Sequence, residues 1–242
     1  MQSLISKISV LAAIFVATPV FATAGAGDVE KGKNIYMNGK GEVPACNSCH
    51  GQDAMGDDAM GTPRLAGQSF TYIAKQLADF SQDKRMDTTM YVMNSNAKGL
   101  SEQDIKDVAA YVESLDYDTL ASSDMSQVKE LGHAVGVRYL GKGIVMYGAV
   151  ERGIPACHSC HSFNGRGAPP MYPMIGGQKY VYLVNQLKQF RDGARANDAA
   201  AQMREVAKQM TDEDIHNAAT FLTSAPRTTM GNTGWPQNKV HH

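Results

Sequence analysis

The pentapeptide CNSCH at residues 46–50 recurs as CHSCH at residues 157–161, and the two copies contain all four cysteines of the 242-residue chain. Cys-x-x-Cys-His is the attachment sequence of c-type haem. Its two thiols lie one helical turn apart and each can add to a haem vinyl group, while the adjacent histidine can bind the iron. The sequence therefore predicts two covalently bound haem c groups, attached through Cys46, Cys49, Cys157 and Cys160. The predicted proximal iron ligands are His50 and His161.

Other interpretations of the two cysteine pairs account for fewer features of the motifs. A redox-active Cys-x-x-Cys pair has no reason to be followed by histidine twice. A four-thiolate zinc site would leave both histidines unused, and residues 50–156 separate the two pairs, which is far more than in a zinc ribbon. A disulfide within either pentapeptide would close a small, strained loop.

The chain also repeats itself outside the two pentapeptides. Aligning Cys46 with Cys157 also aligns the segments before them, and it places Gly32 on Gly143 and Tyr36 on Tyr147. After the histidines a deletion in the second copy shifts the alignment by one position, and 63–68 then matches 173–178 and 100–105 matches 210–215. The sequence therefore predicts two tandem copies of one small unit.

Each copy has the pattern of short helices packed around a cofactor. Apolar residues in 70–80 follow helical spacing, and Ser101 with Asp104 and Thr211 with Asp214 have the spacing of capping boxes. We expect Gly32 and Gly143 to allow close helix crossings. No alternating strand pattern competes, so the predicted fold is all-α, with two domains each wrapped around one haem.

The domain boundaries follow from the repeat and from the N-terminus. Residues 1–24 combine Lys7, an apolar run and small residues, which is typical of a secretory signal peptide, with an uncleaved membrane anchor as the alternative. We expect a first domain at 25–120, a linker at 121–135, a second domain at 136–226 and an irregular tail at 227–242. Export predicts a periplasmic protein, with peripheral membrane association as a further alternative.

The charge is unevenly distributed, although the net charge of the whole chain is only −1. Residues 25–120 contain 9 Lys/Arg and 15 Asp/Glu, whereas residues 121–242 contain 13 Lys/Arg and 9 Asp/Glu. Such an asymmetry can orient a carrier toward its partners, and solvated charge without a docking role is the alternative. The basic half is not dense in Lys/Arg, so nothing predicts nucleic-acid binding.

A haem iron with one histidine ligand needs a second axial ligand to be closed. Methionine is a common partner in electron-transfer cytochromes, but the chain contains 14 methionines. The repeat narrows the choice to Met93 and Met203, which align when 63–68 is matched with 173–178. Met90 has no methionine counterpart and remains the alternative in the first copy.

Four further residues are candidates for contacts around the haem groups. The carbonyls of Pro63 and Pro173 lie in loops where they could accept a hydrogen bond from the proximal histidines, although loop rigidity alone would also explain the prolines. Arg85 and Arg195 could pair with haem propionates, and ordinary surface arginines are the alternative.

These motifs together resemble the dihaem cytochrome c-four family. The resemblance rests on repeated Pro-Ala-Cys-x-x-Cys-His, Pro-x-[Leu/Ile]-x-Gly-Gln and Tyr-x-x-x-Gln-Leu-x-x-Phe, and on the methionine placed before LSEQDI at residues 100–105. It covers nearly the whole chain after residue 24. It implies two class I cytochrome c domains related by pseudo-twofold symmetry, with His/Met ligation of both irons. Ser162 departs from the family, which usually has glycine after the motif histidine.

Three functions remain open at this level. The resemblance implies an electron carrier that moves single electrons between respiratory-chain partners, from quinol–cytochrome c reductase toward a terminal oxidase. The second hypothesis is the cytochrome subunit of an oxidoreductase complex, such as a flavocytochrome that oxidises sulfide, with a flavoprotein as partner. The third is a dihaem enzyme of the peroxidase or thiosulfate-oxidising type, which needs an open iron. Good methionine candidates in both copies argue against it.

Overall fold

The computed structural model describes residues 27–88, 90–115 and 123–225, where the regular structure is helical, with four isolated β-bridges and no strand. The first domain contains α1 (Val29–Asn38), α2 (Asn47–His50), α3 (Phe70–Ser81), α4 (Val92–Lys98) and α5 (Glu102–Ser114). The second contains α6 (Met125–Glu130), α7 (Arg138–Tyr147), α8 (His158–His161), α9 (Tyr180–Arg191), α10 (Gln202–Lys208) and α11 (Asp212–Thr223). Short 3-10 turns lie at Val150–Arg152, Phe163–Gly165 and Ala199–Ala201. The predicted all-α class is confirmed.

Each domain is built on a crossing of its first and last long helices. In the first domain α1 packs across α5, and the rings of Tyr36 and Tyr111 lie 5.3 Å apart at the crossing. In the second domain α7 packs across α11, with Val145 and Phe221 in the buried core. The third long helix of each domain, α3 or α9, then packs against the last one.

A glycine makes each crossing close, but the second of the two is not the one predicted. A Cβ atom added to Gly32 would lie 1.9 Å from the carbonyl oxygen of Asp107, and one added to Gly141 would lie 1.8 Å from that of Asn217. A Cβ atom added to Gly143 would meet nothing within 4 Å, so the expectation for Gly143 is wrong.

The reason is a length difference between the two copies. Gly39 caps the end of α1 and Gly148 caps the end of α7, whereas aligning the cysteine motifs would place Gly39 on Val150. The turn Val150–Arg152 adds residues between α7 and the second pentapeptide, so structural equivalence in the first helix departs from the motif alignment. For the same reason, the two tyrosines that the motif alignment pairs are not structurally equivalent. Tyr36 is fully buried, whereas Tyr147 is 75% exposed.

The last helices begin with the predicted capping boxes. Ser101 with Asp104 and Thr211 with Asp214 each show both reciprocal hydrogen bonds. Each capping carboxylate is also bound by a cation from the loop before the cysteine motif. Lys40 Nζ lies 2.7 Å from Asp104, and Arg152 donates to Asp214 at 2.5 and 2.8 Å. These pairs tie the haem-attachment loops to the last helices.

The linker expected at 121–135 is instead part of the second domain where the structure describes it. It contains α6, whose Val128 is fully buried in the second core. The Ser123 amide donates to the hydroxyl of Thr223 at 3.1 Å, and the Ser123 hydroxyl accepts from the Tyr180 amide at 2.9 Å. Met125 and Val135 pack against the same core and add to this anchoring. The expected signal peptide and the tail at 227–242 lie outside the described residues.

The two domains meet through buried polar contacts. The Val181 amide donates to Asp58 Oδ1 at 3.0 Å across the interface, and the Arg64 side chain, which is fully buried, donates to the carbonyl of Gly176 at 2.8 Å. Among the described residues, no helix has the length and apolar character needed to cross a membrane.

Candidate haem sites

The two cysteine motifs form matching single-turn helices. In each, the amide of the histidine donates to the carbonyl of the first cysteine, at 3.0 Å for His50 and 2.9 Å for His161. All four thiols are free of disulfide bonds, as thioether formation requires. Burial raises the pKa values of the Cys46 and Cys157 thiols to about 11. Both sites therefore offer two free thiols in the spacing that haem attachment needs.

Both motif histidines are buried and oriented by a proline carbonyl. Nδ1 of His50 lies 3.2 Å from the carbonyl oxygen of Pro63, and Nδ1 of His161 lies 2.9 Å from that of Pro173. A carbonyl can only accept, so Nδ1 carries the proton and Nε2 keeps its lone pair. Burial lowers the pKa of both imidazoles, and the proline hydrogen bonds only partly oppose this shift. Neutral imidazole with a free Nε2 is the form that binds iron.

The two candidate methionines occupy equivalent places in the fold. Met93 lies in the first turn of α4 and Met203 in the first turn of α10, and both are partly buried. Two consecutive residues in the left-handed conformation precede each of these helices. The alternative ligand, Met90, has a side chain that is 90% exposed. Its exposure disfavours it as a ligand in this conformation.

The loops that carry the methionines are held by different chemistry. In the first domain buried Asn94 donates to the carbonyls of Phe80 and Arg85, at 2.9 and 2.8 Å. In the second domain Arg204 Nε forms an ion pair with Asp198 Oδ1 at 2.7 Å, and this guanidinium contributes to lowering the pKa of that carboxyl. Neither anchor is predicted from the sequence. Their only signal is their position next to the aligned methionines.

The structure places Arg85 and Arg195 at the domain interface rather than at the surface. They are 6% and 5% exposed, so the surface-arginine alternative is wrong. Both donate to the same two amide oxygens: Arg85 to Gln76 and Gln186 at 2.7 and 2.8 Å, and Arg195 to Gln186 and Gln76 at 2.7 and 3.1 Å.

This cluster carries excess positive charge. Arg85 also donates to the hydroxyl of Tyr182 at 3.0 Å. Burial alone raises the pKa of Tyr182, but the two guanidiniums outweigh it and hold the pKa below its usual value. Among the described residues, the oxygen atoms that accept from these guanidiniums belong to neutral groups. Buried cations with neutral acceptors fit a site that receives anionic groups from a ligand.

Comparison with known proteins gives consistent results. A cytochrome c family model matches residues 29–116 and 151–226. The chain is 36% identical over 196 residues to the thiosulfate dehydrogenase electron acceptor of Stutzerimonas stutzeri (strain A1501), which covers 80% of this chain and 85% of that protein. The solved structure of reduced recombinant cytochrome c4 from Pseudomonas stutzeri superposes with a TM-score of 0.68 at 29% identity, covering 83% of this chain and all of that one.

A second solved structure is also similar. Thiosulfate dehydrogenase (TsdBA) from Marichromatium purpuratum, in its as-isolated form, superposes with a TM-score of 0.73 at 30% identity. The match covers 82% of this chain, and this chain spans 40% of that longer one.

Fold, site and comparisons together define an electron-transfer protein with two c-type cytochrome domains, each carrying one covalently bound haem. The prediction of two haem groups is confirmed. The chain belongs to the cytochrome c family and, within it, to the dihaem cytochromes c4.

Proposed function

We propose that this cytochrome is a periplasmic carrier that takes single electrons from a thiosulfate-oxidising enzyme and passes them toward a terminal oxidase. The observation that carries the proposal is the repeated histidine–proline carbonyl contact, with a methionine-bearing helix in the same place in both domains. Two closed irons suit transfer rather than substrate chemistry. The donor is suggested by the similarity to the thiosulfate dehydrogenase electron acceptor of Stutzerimonas stutzeri. Quinol–cytochrome c reductase is the alternative donor.

Within this proposal the motif residues hold the two haem groups. The thiols of Cys46 and Cys49, and of Cys157 and Cys160, form the thioether bonds. His50 and Met93 ligate the first iron, and His161 and Met203 ligate the second. The haem supplies a one-electron Fe(III)/Fe(II) couple. The proline carbonyls keep the proton on Nδ1, so that each imidazole presents the same nitrogen in both oxidation states.

The interfacial arginines complete the proposed sites. Arg85 and Arg195 would pair with haem propionates, because burying a carboxylate without a cation is costly. Burying a cation without an anion is costly as well. Among the described residues, no carboxylate accepts a hydrogen bond from the Arg85 or Arg195 guanidinium. Arg is well suited to this role because its planar fork matches a carboxylate. Propionates at this place would bring both haem groups to the domain interface.

A second candidate is a permanent cytochrome subunit of a thiosulfate-oxidising complex. The similarity to part of the longer thiosulfate dehydrogenase chain favours it, since this chain spans 40% of that protein. A flavoprotein partner has no comparable support. Stable co-purification with a thiosulfate-oxidising enzyme at high ionic strength would favour the subunit, and recovery of the free cytochrome would favour the carrier.

Ligation is tested by optical spectroscopy of the purified holoprotein. We expect two equivalents of the methionine-sulfur-to-ferric-iron band and no carbon monoxide binding to the reduced protein. Met93→Ala and Met203→Ala should each remove one equivalent and admit carbon monoxide at one haem. Met90→Ala is the matched control and should keep both equivalents. Loss of a band in Met90→Ala would refute the assignment of Met93.

The partner and the compartment are tested separately. Thiosulfate with purified thiosulfate dehydrogenase should reduce the wild-type cytochrome in a stopped-flow experiment, and a membrane preparation with an active oxidase should reoxidise it. No reduction by the enzyme would refute the proposed donor. Mass spectrometry of protein from the periplasmic fraction should show a chain that lacks residues 1–24, and a full-length, membrane-bound chain would refute the proposed cleavage.

A further inference from the structure

Two glutamines cross the domain interface in opposite directions. Gln68 lies in the first domain, and its side-chain amide binds the backbone of Met174 in the second, donating to the carbonyl at 2.6 Å and accepting from the amide at 3.1 Å. Gln178 lies in the second domain and binds the backbone of Arg64 in the first in the same manner, at 2.9 and 2.7 Å. Both glutamines are 3% exposed. Each therefore fixes both backbone polar groups of one residue in the other domain.

The residues they bind adjoin the carbonyls that orient the proximal histidines. Met174 follows Pro173, whose carbonyl lies 2.9 Å from His161 Nδ1. Arg64 follows Pro63, whose carbonyl lies 3.2 Å from His50 Nδ1. The peptide plane that contains the Pro173 carbonyl also contains the Met174 amide, because the peptide unit is planar. A hydrogen bond from that amide to Gln68 therefore fixes the direction of the carbonyl that His161 uses.

We propose that each domain tunes the haem of the other, with Gln68 positioning His161 and Gln178 positioning His50. The proposal rests on these histidines being the iron ligands, as inferred under the proposed function. Both glutamines are positioning residues, because they act through a proline carbonyl and not on the iron.

The basicity of the proximal imidazole sets the direction in which the reduction potential changes. A proximal imidazole that donates a strong Nδ1–H hydrogen bond is a more basic ligand. A more basic ligand stabilises ferric over ferrous iron, so it lowers the reduction potential. Loss of the glutamine lets the proline carbonyl rotate and weakens the hydrogen bond to the histidine. The potential of the haem in the opposite domain should then rise.

A role limited to holding the domains together predicts a different pattern. If the glutamines only stabilised the interface, removing either one would loosen the same contact and disturb both haem groups alike. Positioning through the proline loops instead predicts a crossed pattern. Gln68→Leu should act on the second haem, and Gln178→Leu on the first.

The test is haem-resolved potentiometry of the holoprotein, followed through hyperfine-shifted proton signals that are assigned with the Met93→Ala and Met203→Ala variants. We expect Gln68→Leu to shift the equilibrium of electron exchange between the two haem groups about tenfold toward reduction of the second haem. This factor is equivalent to 59 mV for one electron. We expect Gln178→Leu to shift it toward reduced first haem by a similar factor. The ring-proton signals of the proximal histidine should move only in the affected domain.

Two further variants keep the test decisive. Gln82→Leu, an exposed glutamine at the end of α3, is the matched control and should shift neither haem. Gln68→Met keeps the length of the side chain without adding charge but loses both hydrogen bonds to Met174, so it should give a shift of the same sign even if Gln68→Leu does not fold.

Three results would overturn the proposal: equal shifts at both haem groups, shifts in the glutamine's own domain, or no shift. Absence of hyperfine-shifted histidine signals in the wild-type protein would instead refute the ligand assignment itself. The two failures are therefore separable.

Discussion

Substituting alanine at two glycines of one helix should give opposite results. A Cβ atom at position 141 would lie 1.8 Å from the carbonyl oxygen of Asn217, whereas one at position 143 would have open space around it. A carbon atom normally stays about 3.3 Å or more from a carbonyl oxygen. Gly141→Ala must therefore push α7 and α11 apart by about 1.5 Å, the difference between those two distances.

The cost of this separation can be estimated. Overpacking a core typically costs about 1–3 kcal/mol, and displacing backbone rather than a flexible side chain places Gly141→Ala at about 3 kcal/mol or more. Gly143→Ala should gain about 0.5–1 kcal/mol, because glycine in a helix interior is less favourable than alanine. The two variants should therefore differ by about 4 kcal/mol in the free energy of unfolding of the second domain.

The assay is guanidinium unfolding of the holoproteins, followed by circular dichroism and by the haem absorption. Gly32→Ala, which makes the same clash in the first domain, identifies the transition that belongs to each domain. Equal stabilities for Gly141→Ala and Gly143→Ala would refute the packing argument. A stable Gly141→Ala with a destabilised Gly143→Ala would instead restore the equivalence of Gly32 and Gly143 that the motif alignment implies.

Two other substitutions test the proposed roles of charged side chains. The Arg152 hydrogen bond lowers the pKa of Asp214 to about 2, so Asp214→Asn should cost about 2 kcal/mol of stability at pH 7. Because the folded-state pKa lies below the unfolded value of 3.8, this contribution is present above about pH 4 and is lost as the pH falls through about 2. A difference between variant and wild type that is as large at pH 2 as at pH 7 would contradict this. Arg85→Gln removes a buried cation, which should lower the potential of at least one haem by tens of millivolts. Unchanged potentials in a titration would contradict the propionate pairing.

The sequence was informative wherever chemistry demands a fixed local spacing. The cysteine motifs predicted both haem groups, and Ser101 and Thr211 with their aspartates predicted where the last helices begin. Of the apolar positions that helical spacing predicts to face the core from those helices, Leu115 at the end of α5 is only partly buried. The other seven are buried, namely Ile105, Val108, Val112, Ile215, Ala218, Ala219 and Leu222. These features depend on neighbours within one helical turn.

Features that depend on the other copy could not be derived in the same way. The alignment of Gly32 with Gly143 followed residue identity, but the turn at Val150–Arg152 had changed the length between helix and motif. Arg85 could have been a surface residue by composition, and in the structure its buried guanidinium contacts Tyr182 and Gln186 of α9 in the other domain. Gln68 and Gln178 occupy equivalent positions of the sequence repeat. Their partners are backbone amide and carbonyl groups, so the side chains of the partner residues do not reveal the contact.

The domain interface follows the rule of a symmetric dimer. Gln68 and Gln178 are equivalent positions, and so are their targets Arg64 and Met174, so the contact from the first copy to the second is matched by its reverse. Such reciprocal pairing is the mark of an isologous interface between identical subunits. The fused chain thus retains the geometry of two identical protomers. Because each glutamine binds backbone groups, the equivalent target positions can carry different side chains, as Arg64 and Met174 do, while both contacts keep the same form.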